Sequence, residues 1–137
     1  MTTIAADLKA GVMACDSQWS DGSVKGQTRK VYRIKGALIG FAGDTKSIES
    51  SVAWFKRGKE GHPPKGDVAA LILNGKLTTW EPENGFMDQG SQFAIGSGGA
   101  EARAAMMAGA DVSKAVRIAC RIDAMSGGPV RTYRVKP

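Results

Sequence analysis

The chain has one histidine and two cysteines, which limits the catalytic and metal sites that it can form. A Ser-His-Asp or Cys-His mechanism would have to run through His62, which precedes Pro63 and Pro64 in a proline-rich stretch. The sequence has no HExxH motif and no cluster of cysteine and histidine, so it does not indicate a catalytic zinc site. We therefore expect neither a metal nor another cofactor.

Long apolar runs and targeting segments are also missing. No stretch approaches the length that spans a membrane, and the N-terminus lacks the basic and apolar regions of a secretion signal. Cys15 and Cys120 lie far apart among small apolar residues, a pattern typical of reduced, buried thiols in an intracellular protein. The sequence thus predicts a cytoplasmic protein without membrane contact.

Length and charge set further bounds. The 137 residues predict one domain, 1–137, and 42% hydrophobic residues argue against disorder. The 19 Lys and Arg exceed the 13 Asp and Glu, which gives a net charge of +6. A basic surface can bind nucleic acid. These cations are spread along the chain, however, which favours an ordinary solvated surface.

The hydrophobic pattern predicts four strands, a helix, three strands, two helices and a closing strand. Strands are expected at 3–8, 12–16, 30–34, 37–42, 68–73, 77–80, 92–95 and 130–135, and loops at 17–27 and 81–91. Helices are expected from Asp44 or Thr45 to about Gly58, over 100–110, and after Asp111. Hairpins favour antiparallel sheets, so the predicted fold is α+β, with two stacked sheets and helices outside them.

The turn Gly96-Ser97-Gly98-Gly99 before the second helix has two interpretations. It could cradle an anion at a helix N-terminus, or it could let the helix pack closely on its sheet. It lacks the Lys-Ser/Thr of a P-loop, and Glu101 occupies a small-residue position of the dinucleotide fingerprint.

The N-terminus offers a nucleophile that needs no histidine. Because Thr2 is small, Met1 is a candidate for removal, which would leave Thr2 with a hydroxyl and a free α-amine. An α-amine titrates near pH 7.7–8.0 and can serve as a general base at neutral pH. A nucleophile and a base on one residue is an established arrangement.

Six short motifs follow this start in a fixed order. They are Thr2-Thr3-Ile4, Ala14-Cys15-Asp16-Ser17, Arg29-Lys30-Val31, Gly40-Phe41-Ala42-Gly43, Ala94-Ile95-Gly96-Ser97-Gly98-Gly99 and Asp123-Ala124-Met125-Ser126-Gly127-Gly128. The series resembles proteasome β subunits and the bacterial HslV-type peptidase, from Thr2 to about Val135. The resemblance implies a four-layer αββα sandwich of an N-terminal nucleophile hydrolase.

The resemblance also implies a role for each matching residue. Thr2 would be the nucleophile, Lys30 the neighbouring ammonium and Asp16 the carboxylate that orients it. Ser97, Asp123 and Ser126 would hold the amine, and the Gly43 N–H would stabilise the oxyanion. The residues expected to contact substrate are Ser20, Trp19, Thr28, Phe41 and Thr45.

The chain departs from the family pattern in several places, and the first hairpin and the loop before Lys30 are each slightly shorter than usual. Asp44 stands where the family commonly has a second glycine, and a short Gly/Pro/Lys-rich link between Phe55 and Val68 replaces a long helix. One helical layer should therefore be shortened.

The resemblance implies a threonine peptidase that acts on peptide or unfolded protein, in a homo-oligomer that could be a ring. An ATP-dependent unfoldase would be a possible partner. Three alternatives stay open: a hydrolase of small amides, a non-catalytic ring or scaffold subunit, and a nucleic-acid-binding domain.

Overall fold

The computed structural model describes residues 1–21 and 24–136, with the backbone alone at residues 20, 21, 24 and 25. Within this part, the strands are β1 (Ile4–Asp7), β2 (Val12–Cys15), β3 (Gln18–Asp21), β4 (Val24–Gln27), β5 (Val31–Ile34), β6 (Ala37–Gly43), β7 (Val68–Leu73), β8 (Leu77–Glu81), β9 (Gly85–Asp88), β10 (Gln92–Ile95) and β11 (Arg131–Arg134). The helices are α1 (Thr45–Lys56), α2 (Gly99–Met107) and α3 (Val112–Ile122).

The strands form two larger sheets and a separate hairpin. The four-stranded sheet has the order β10-β1-β2-β11, the five-stranded sheet the order β5-β6-β7-β8-β9, and β3 pairs with β4. All of these pairs are antiparallel. The α+β class and the antiparallel sheets confirm the prediction.

Helices α2 and α3 cover the outer face of the four-stranded sheet with small side chains. The buried cluster, here called the small-residue layer, comprises Ala5, Ala14, Ala94, Ala102, Met106, Val112, Ala115, Val116 and Ala119. Short side chains at the contact let helices approach the sheet closely. This close approach brings the residues at the ends of the two helices near the start of β1.

Helix α1 covers the outer face of the five-stranded sheet with large side chains. The cluster, here called the aromatic layer, comprises Ile34, Ala37, Ile39, Phe41, Trp54, Phe55, Val68, Ala70 and Trp80. Trp54 stacks on Trp80 with ring centroids 5.2 Å apart, and Phe55 meets Trp80 edge-on at 5.3 Å. A third cluster, which includes Ile4, Met13, Leu38 and Leu71, fills the space between the two sheets. The molecule thus stacks as helix, sheet, sheet and helices.

Helix α1 begins and ends as its sequence indicates. The Asp44 side chain caps its N-terminus by accepting hydrogen bonds from the Ser47 N–H and hydroxyl, both at 2.8 Å. After Lys56 the chain runs through turns and bends, and residues 57–67 contain no helix. The helical layer on this sheet is therefore short, as predicted.

Two predicted loops were wrong, because each contains strands. Residues 17–27 hold the hairpin of β3 and β4, and residues 81–91 hold β9. The last three residues of β9 are exposed, and its sequence, Gly-Phe-Met-Asp, does not alternate between apolar and polar residues. The edge position of β9 in its sheet explains the exposure.

Candidate functional site

The sequence-predicted catalytic residues meet at one end of the sandwich. Thr2 precedes β1, Asp16 follows β2 and Lys30 precedes β5. Ser97 lies between β10 and α2, while Asp123 and Ser126 follow α3. Because the sheets are antiparallel, the starts of some strands and the ends of their neighbours share this edge.

Asp16 and Lys30 form a buried ion pair at the centre of the site. The Lys30 Nζ donates to Asp16 Oδ1 at 2.9 Å, with 6% and 0% of the two side chains exposed. The Asp16 carboxylate also accepts the Thr3 N–H and the Gly127 N–H, each at 3.0 Å. A buried charge is tolerated when it is paired and hydrogen-bonded in this way. The lysine side chain is thereby fixed in direction.

Thr2 is buried beside this ammonium. Its Oγ1 donates to the Met1 carbonyl oxygen at 2.6 Å, and the Lys30 Nζ donates to the same oxygen at 2.8 Å. The Thr2 hydroxyl and the Lys30 ammonium are therefore neighbours. While Met1 is attached, the Thr2 nitrogen is an amide and has no basic lone pair. It becomes an amine only when Met1 is removed.

Three polar side chains converge on the Thr2 nitrogen and its surroundings. The Thr2 N–H donates to Ser97 Oγ at 3.1 Å, and the Met1 amine donates to the same oxygen. Ser97 and Ser126 each donate a hydrogen bond to Asp123 Oδ2 at 2.6 Å. The three groups assigned to hold the amine thus form one hydrogen-bonded set that includes the Thr2 nitrogen.

The titration of the site reflects these contacts. Desolvation and the Lys30 charge lower the pKa of the Met1 amine, although Asp123 and Asp16 act in the opposite direction. Burial alone would raise the pKa of Asp123. Hydrogen bonds from Ser126, Ser97 and the Met125 N–H outweigh that effect and hold the pKa below its usual value. Asp123 is therefore an anion at neutral pH.

Gly43 ends β6, two residues after Phe41, and its backbone conformation disfavours any residue with a side chain. Its φ is +140°, and an added Cβ would lie 2.0 Å from the Asp67 carbonyl oxygen. The Phe41 N–H bonds to Lys30 O and the Asp44 N–H bonds to Asp67 O, on opposite edges of the strand. Successive N–H groups of a strand point to opposite edges. The Gly43 N–H therefore points to the same edge as the Phe41 N–H, toward the segment that precedes β5.

The residues expected to contact substrate are more scattered. Thr28 and Thr45 are exposed, as is Trp19, whose ring lies over Gly26. Phe41 is 1% exposed and packs against Tyr32 and Phe55 in the aromatic layer, so its side chain has no open surface toward the site. The side chain of Ser20 lies outside the described part of the structure.

The cysteines lie near the site but are not suited to nucleophilic attack. Cys15 is buried next to Asp16, and burial raises its pKa to about 12. Cys120 is half-buried on α3, where burial raises its pKa to about 11. Both thiols are protonated at neutral pH, and a thiol attacks as the thiolate.

Sequence reasoning missed two residues of the site. Thr3 is fully buried, and its hydroxyl lies 2.8 Å from Ser126 Oγ. Gly98 lies against it, since a Cβ there would be 2.0 Å from Thr3 Oγ1. Gly98 therefore supports the close-packing interpretation of the glycine-rich turn. The Thr-Thr start and the Gly-Ser-Gly-Gly turn were visible in the sequence, but their contact was not.

The described residues contain neither a cluster of metal ligands nor a membrane-spanning helix. Within 1–21 and 24–136, no group of three or more His, Cys, Asp or Glu residues is arranged to hold a metal ion. No helix in this part of the chain is long and apolar enough to cross a membrane.

Solved structures with the same fold match almost the whole chain. HslV from Trypanosoma brucei is 24% identical, with a TM-score of 0.77, and the match covers 96% of this chain and 97% of that one. BPH from Thiobacillus denitrificans in complex with epoxomicin is 18% identical, with a TM-score of 0.74 and coverage of 98% and 100%. A second BPH structure is 20% identical, with a TM-score of 0.70 and coverage of 99% and 98%.

No family model and no curated protein matches the sequence. At these identities the structural matches establish the fold. The chain has the proteasome-like fold of HslV and BPH, which confirms the resemblance indicated by the six motifs.

Proposed function

We propose that the protein is a threonine-type peptidase that cleaves peptide bonds through an ester on Thr2, after Met1 is removed. The observation that carries the proposal is the convergence of Lys30, Asp16 and the Ser97–Asp123–Ser126 set on Thr2. Thr2 and the residues around it come from five separate segments of the chain. The proteasome-like fold supports the same assignment but does not by itself establish activity.

The geometry supports a specific sequence of proton transfers. The freed Thr2 amine would accept the proton of its own hydroxyl, and the Lys30 ammonium would stabilise the resulting negative charge on Oγ1. Oγ1 would then attack the substrate carbonyl, and the Gly43 N–H would donate to the oxyanion. The protonated amine would pass its proton to the leaving nitrogen. Water would then hydrolyse the ester, with the amine again as the base.

Asp16 and Asp123 have different parts in this scheme. Asp16 contacts Lys30 and accepts two backbone N–H groups, so it would orient the ammonium. Asp123 acts through Ser97, which contacts the Thr2 nitrogen. The two carboxylates would thus fix the ammonium and the amine on either side of the Thr2 hydroxyl.

We propose further that the substrate is a peptide or unfolded protein, that the protein is cytoplasmic, and that the site faces a chamber made by homo-oligomerisation. The exposed Thr28 and Thr45 and the hairpin with Trp19 would contact the substrate backbone and side chains. The short layer over the five-stranded sheet leaves room for a neighbouring subunit. An ATP-dependent unfoldase is a partner consistent with this arrangement.

Thr2→Ala against wild type on a panel of fluorogenic peptides tests the proposal. Alanine is also small, so Met1 should be removed from both proteins, and intact mass checks this. We expect wild type to cleave at least one peptide and Thr2→Ala to fall to background. Thr132→Ala, which removes an exposed threonine hydroxyl on β11, is the matched control and should keep full activity.

Labelling gives an independent measurement. An epoxyketone such as epoxomicin should add to wild type at the N-terminal peptide and not to Thr2→Ala, with native mass recorded alongside. Processed wild type that neither cleaves a peptide nor reacts would contradict the proposal and favour a non-catalytic subunit. Cleavage of small amides alone would favour an amidohydrolase.

A further inference from the structure

Thr3 places a buried hydroxyl beside the site, and the proposed chemistry leaves it without a role. Its side chain is 0% exposed, and its Oγ1 lies 2.8 Å from Ser126 Oγ. Burying a hydroxyl costs free energy unless it is hydrogen-bonded, so this contact is the one that compensates Thr3 within the described residues.

The direction of this hydrogen bond follows from proton counting. A serine hydroxyl has one proton, and Ser126 donates its proton to Asp123 Oδ2 at 2.6 Å. Ser126 Oγ must therefore accept from Thr3. Ser97 likewise donates to Asp123 at 2.6 Å, so its oxygen accepts the Thr2 N–H. The hydrogen bonds run from Thr3 through Ser126 to Asp123, and from the Thr2 nitrogen through Ser97 to the same carboxylate oxygen.

The Thr3 hydroxyl is held in place on several sides. The Thr3 N–H donates to Asp16 Oδ1 at 3.0 Å, and the Thr3 carbonyl accepts the Asp16 N–H at 3.1 Å. Because Gly98 has no side chain, the space beside its Cα is free for the Thr3 Oγ1. A β-branched side chain fixed at its backbone has few rotamers, so the donor direction toward Ser126 is set.

We propose that Thr3 is a positioning residue: its hydroxyl orients Ser126, and through it the Asp123 carboxylate, toward Ser97 and the Thr2 nitrogen. The inference rests on the proposed function. Without the hydroxyl, Ser126 Oγ lacks a donor and can rotate away from Asp123. The carboxylate then loses part of its stabilisation and its fixed distance from Ser97. The Thr2 amine would be less well aligned with its own hydroxyl.

The effect on pH dependence can be assigned a direction. The charged groups around the Met1 amine are Asp123 and Asp16, which favour its ammonium form, and Lys30, which disfavours it. The Thr2 nitrogen shares its partner Ser97 with the Met1 amine, so the freed Thr2 amine would face the same three charges. Loosening Asp123 weakens one of the two favourable interactions. The amine should then lose its proton at lower pH, and the acidic limb of the kcat/KM profile should move to lower pH.

Thr3→Ala and Thr3→Ser form the matched pair that tests this, because they differ by the hydroxyl alone. We expect Thr3→Ala to lower kcat by about tenfold with KM unchanged and to move the acidic limb. Thr3→Ser should restore both kcat and the profile toward wild type. Melting temperatures of all variants are recorded, and Thr3→Val, which keeps the volume, replaces Thr3→Ala if the latter does not fold.

Ser17→Ala is the control for a purely structural effect. Ser17 is also 0% exposed, and its hydroxyl donates to Pro129 O at 2.7 Å, in the same segment that carries Ser126. Its loss should lower stability but leave the acidic limb in place. An unchanged kcat and profile in Thr3→Ala, or an equal change in Thr3→Ser or Ser17→Ala, would overturn the inference. An inactive, processed wild type would instead overturn the proposed function.

Discussion

The small-residue layer and the aromatic layer cover the two sheets in opposite ways. In the small-residue layer, all three sheet residues and half of the residues on helices α2 and α3 are alanines. In the aromatic layer, two tryptophans and two phenylalanines fill the space beneath α1. The small-residue layer therefore lets its two helices lie close to the sheet. The aromatic layer instead lets the single helix α1 cover a large area of its sheet.

The difference matches where the proposed functional groups lie. Ser97 precedes α2 and Asp123 follows α3, so both depend on how closely those helices approach β1. A larger side chain in that layer would move the Asp123 carboxylate away from Thr2. The aromatic layer supplies no side chain to the hydrogen-bonded site. The size of its side chains should therefore affect stability more than the geometry of the site. The two layers should respond differently to substitution.

The largest expected effect is on stability, in the aromatic layer. Trp80 is 2% exposed and contacts Trp54 and Phe55. Trp80→Ala should cost about 3–5 kcal/mol in the free energy of unfolding, because it removes a large buried side chain and leaves a cavity. Urea denaturation measures this cost, and kcat per folded molecule should stay near wild type.

Phe86→Ala is the control for Trp80→Ala. Phe86 belongs to the same aromatic contacts but is 50% exposed, so its truncation should cost less than half as much. A large fall in kcat for folded Trp80→Ala would show that the aromatic layer also positions the site, and the comparison would fail.

A smaller effect on stability, but a larger one on activity, is expected at Gly98. An alanine Cβ would lie 2.0 Å from Thr3 Oγ1 and 3.3 Å from Asp123 Oδ2. The backbone angles there suit alanine, so the penalty is steric, about 1–3 kcal/mol. Displacement of Thr3 and Asp123 should lower kcat by about tenfold or more.

Gly26→Ala is the matched control, because its Cβ would meet the Trp19 ring at an ordinary 3.5 Å. Its free energy of unfolding should stay within about 0.5 kcal/mol of wild type. A Gly98→Ala protein as stable and as active as wild type would show that the small-residue layer can expand without consequence.

The sequence predicted the elements that carry runs of apolar residues or clear helix caps. The hairpins of β1–β2, β5–β6 and β7–β8 are largely buried apolar strands, and Asp44 and Asp111 mark the helix starts. Strand β9, and the hairpin of β3 and β4, were missed because they are edge or isolated elements. Their existence depends on backbone pairing with neighbours, which leaves no periodic signal.

The site was predicted from motifs rather than from local pattern. Thr2, Asp16 and Lys30 were proposed because each sits in a recognisable motif. In the structure Lys30 contacts Asp16, and Thr2 and Lys30 share the Met1 carbonyl oxygen. Thr3 also stands in a motif, but nothing in the sequence pairs it with Ser126, which is 123 positions away. Phe41 stands in a motif that also forms β6, where alternation turns its side chain into the aromatic layer. Motif position alone did not separate a packing role from a binding role.

The smallest expected effect is a dependence of stability on pH that arises at Asp123. Its pKa in the folded protein lies below the ordinary 3.8, so the carboxylate stabilises the fold above that pH. This contribution is lost as the pH falls through the folded pKa. Asp123→Asn should therefore be less stable than wild type at pH 7, and the difference should shrink below about pH 4.

Urea midpoints at pH 7, 5 and 3 measure this difference, with Phe86→Ala as the comparison. Phe86 carries no charge, so its difference from wild type should be the same at each pH. If the Asp123→Asn difference were equally constant, the carboxylate would not be held by Ser97 and Ser126 as an anion. The site beside the small-residue layer would then hold no anchored anion, and in this respect the surroundings of the two layers would not differ.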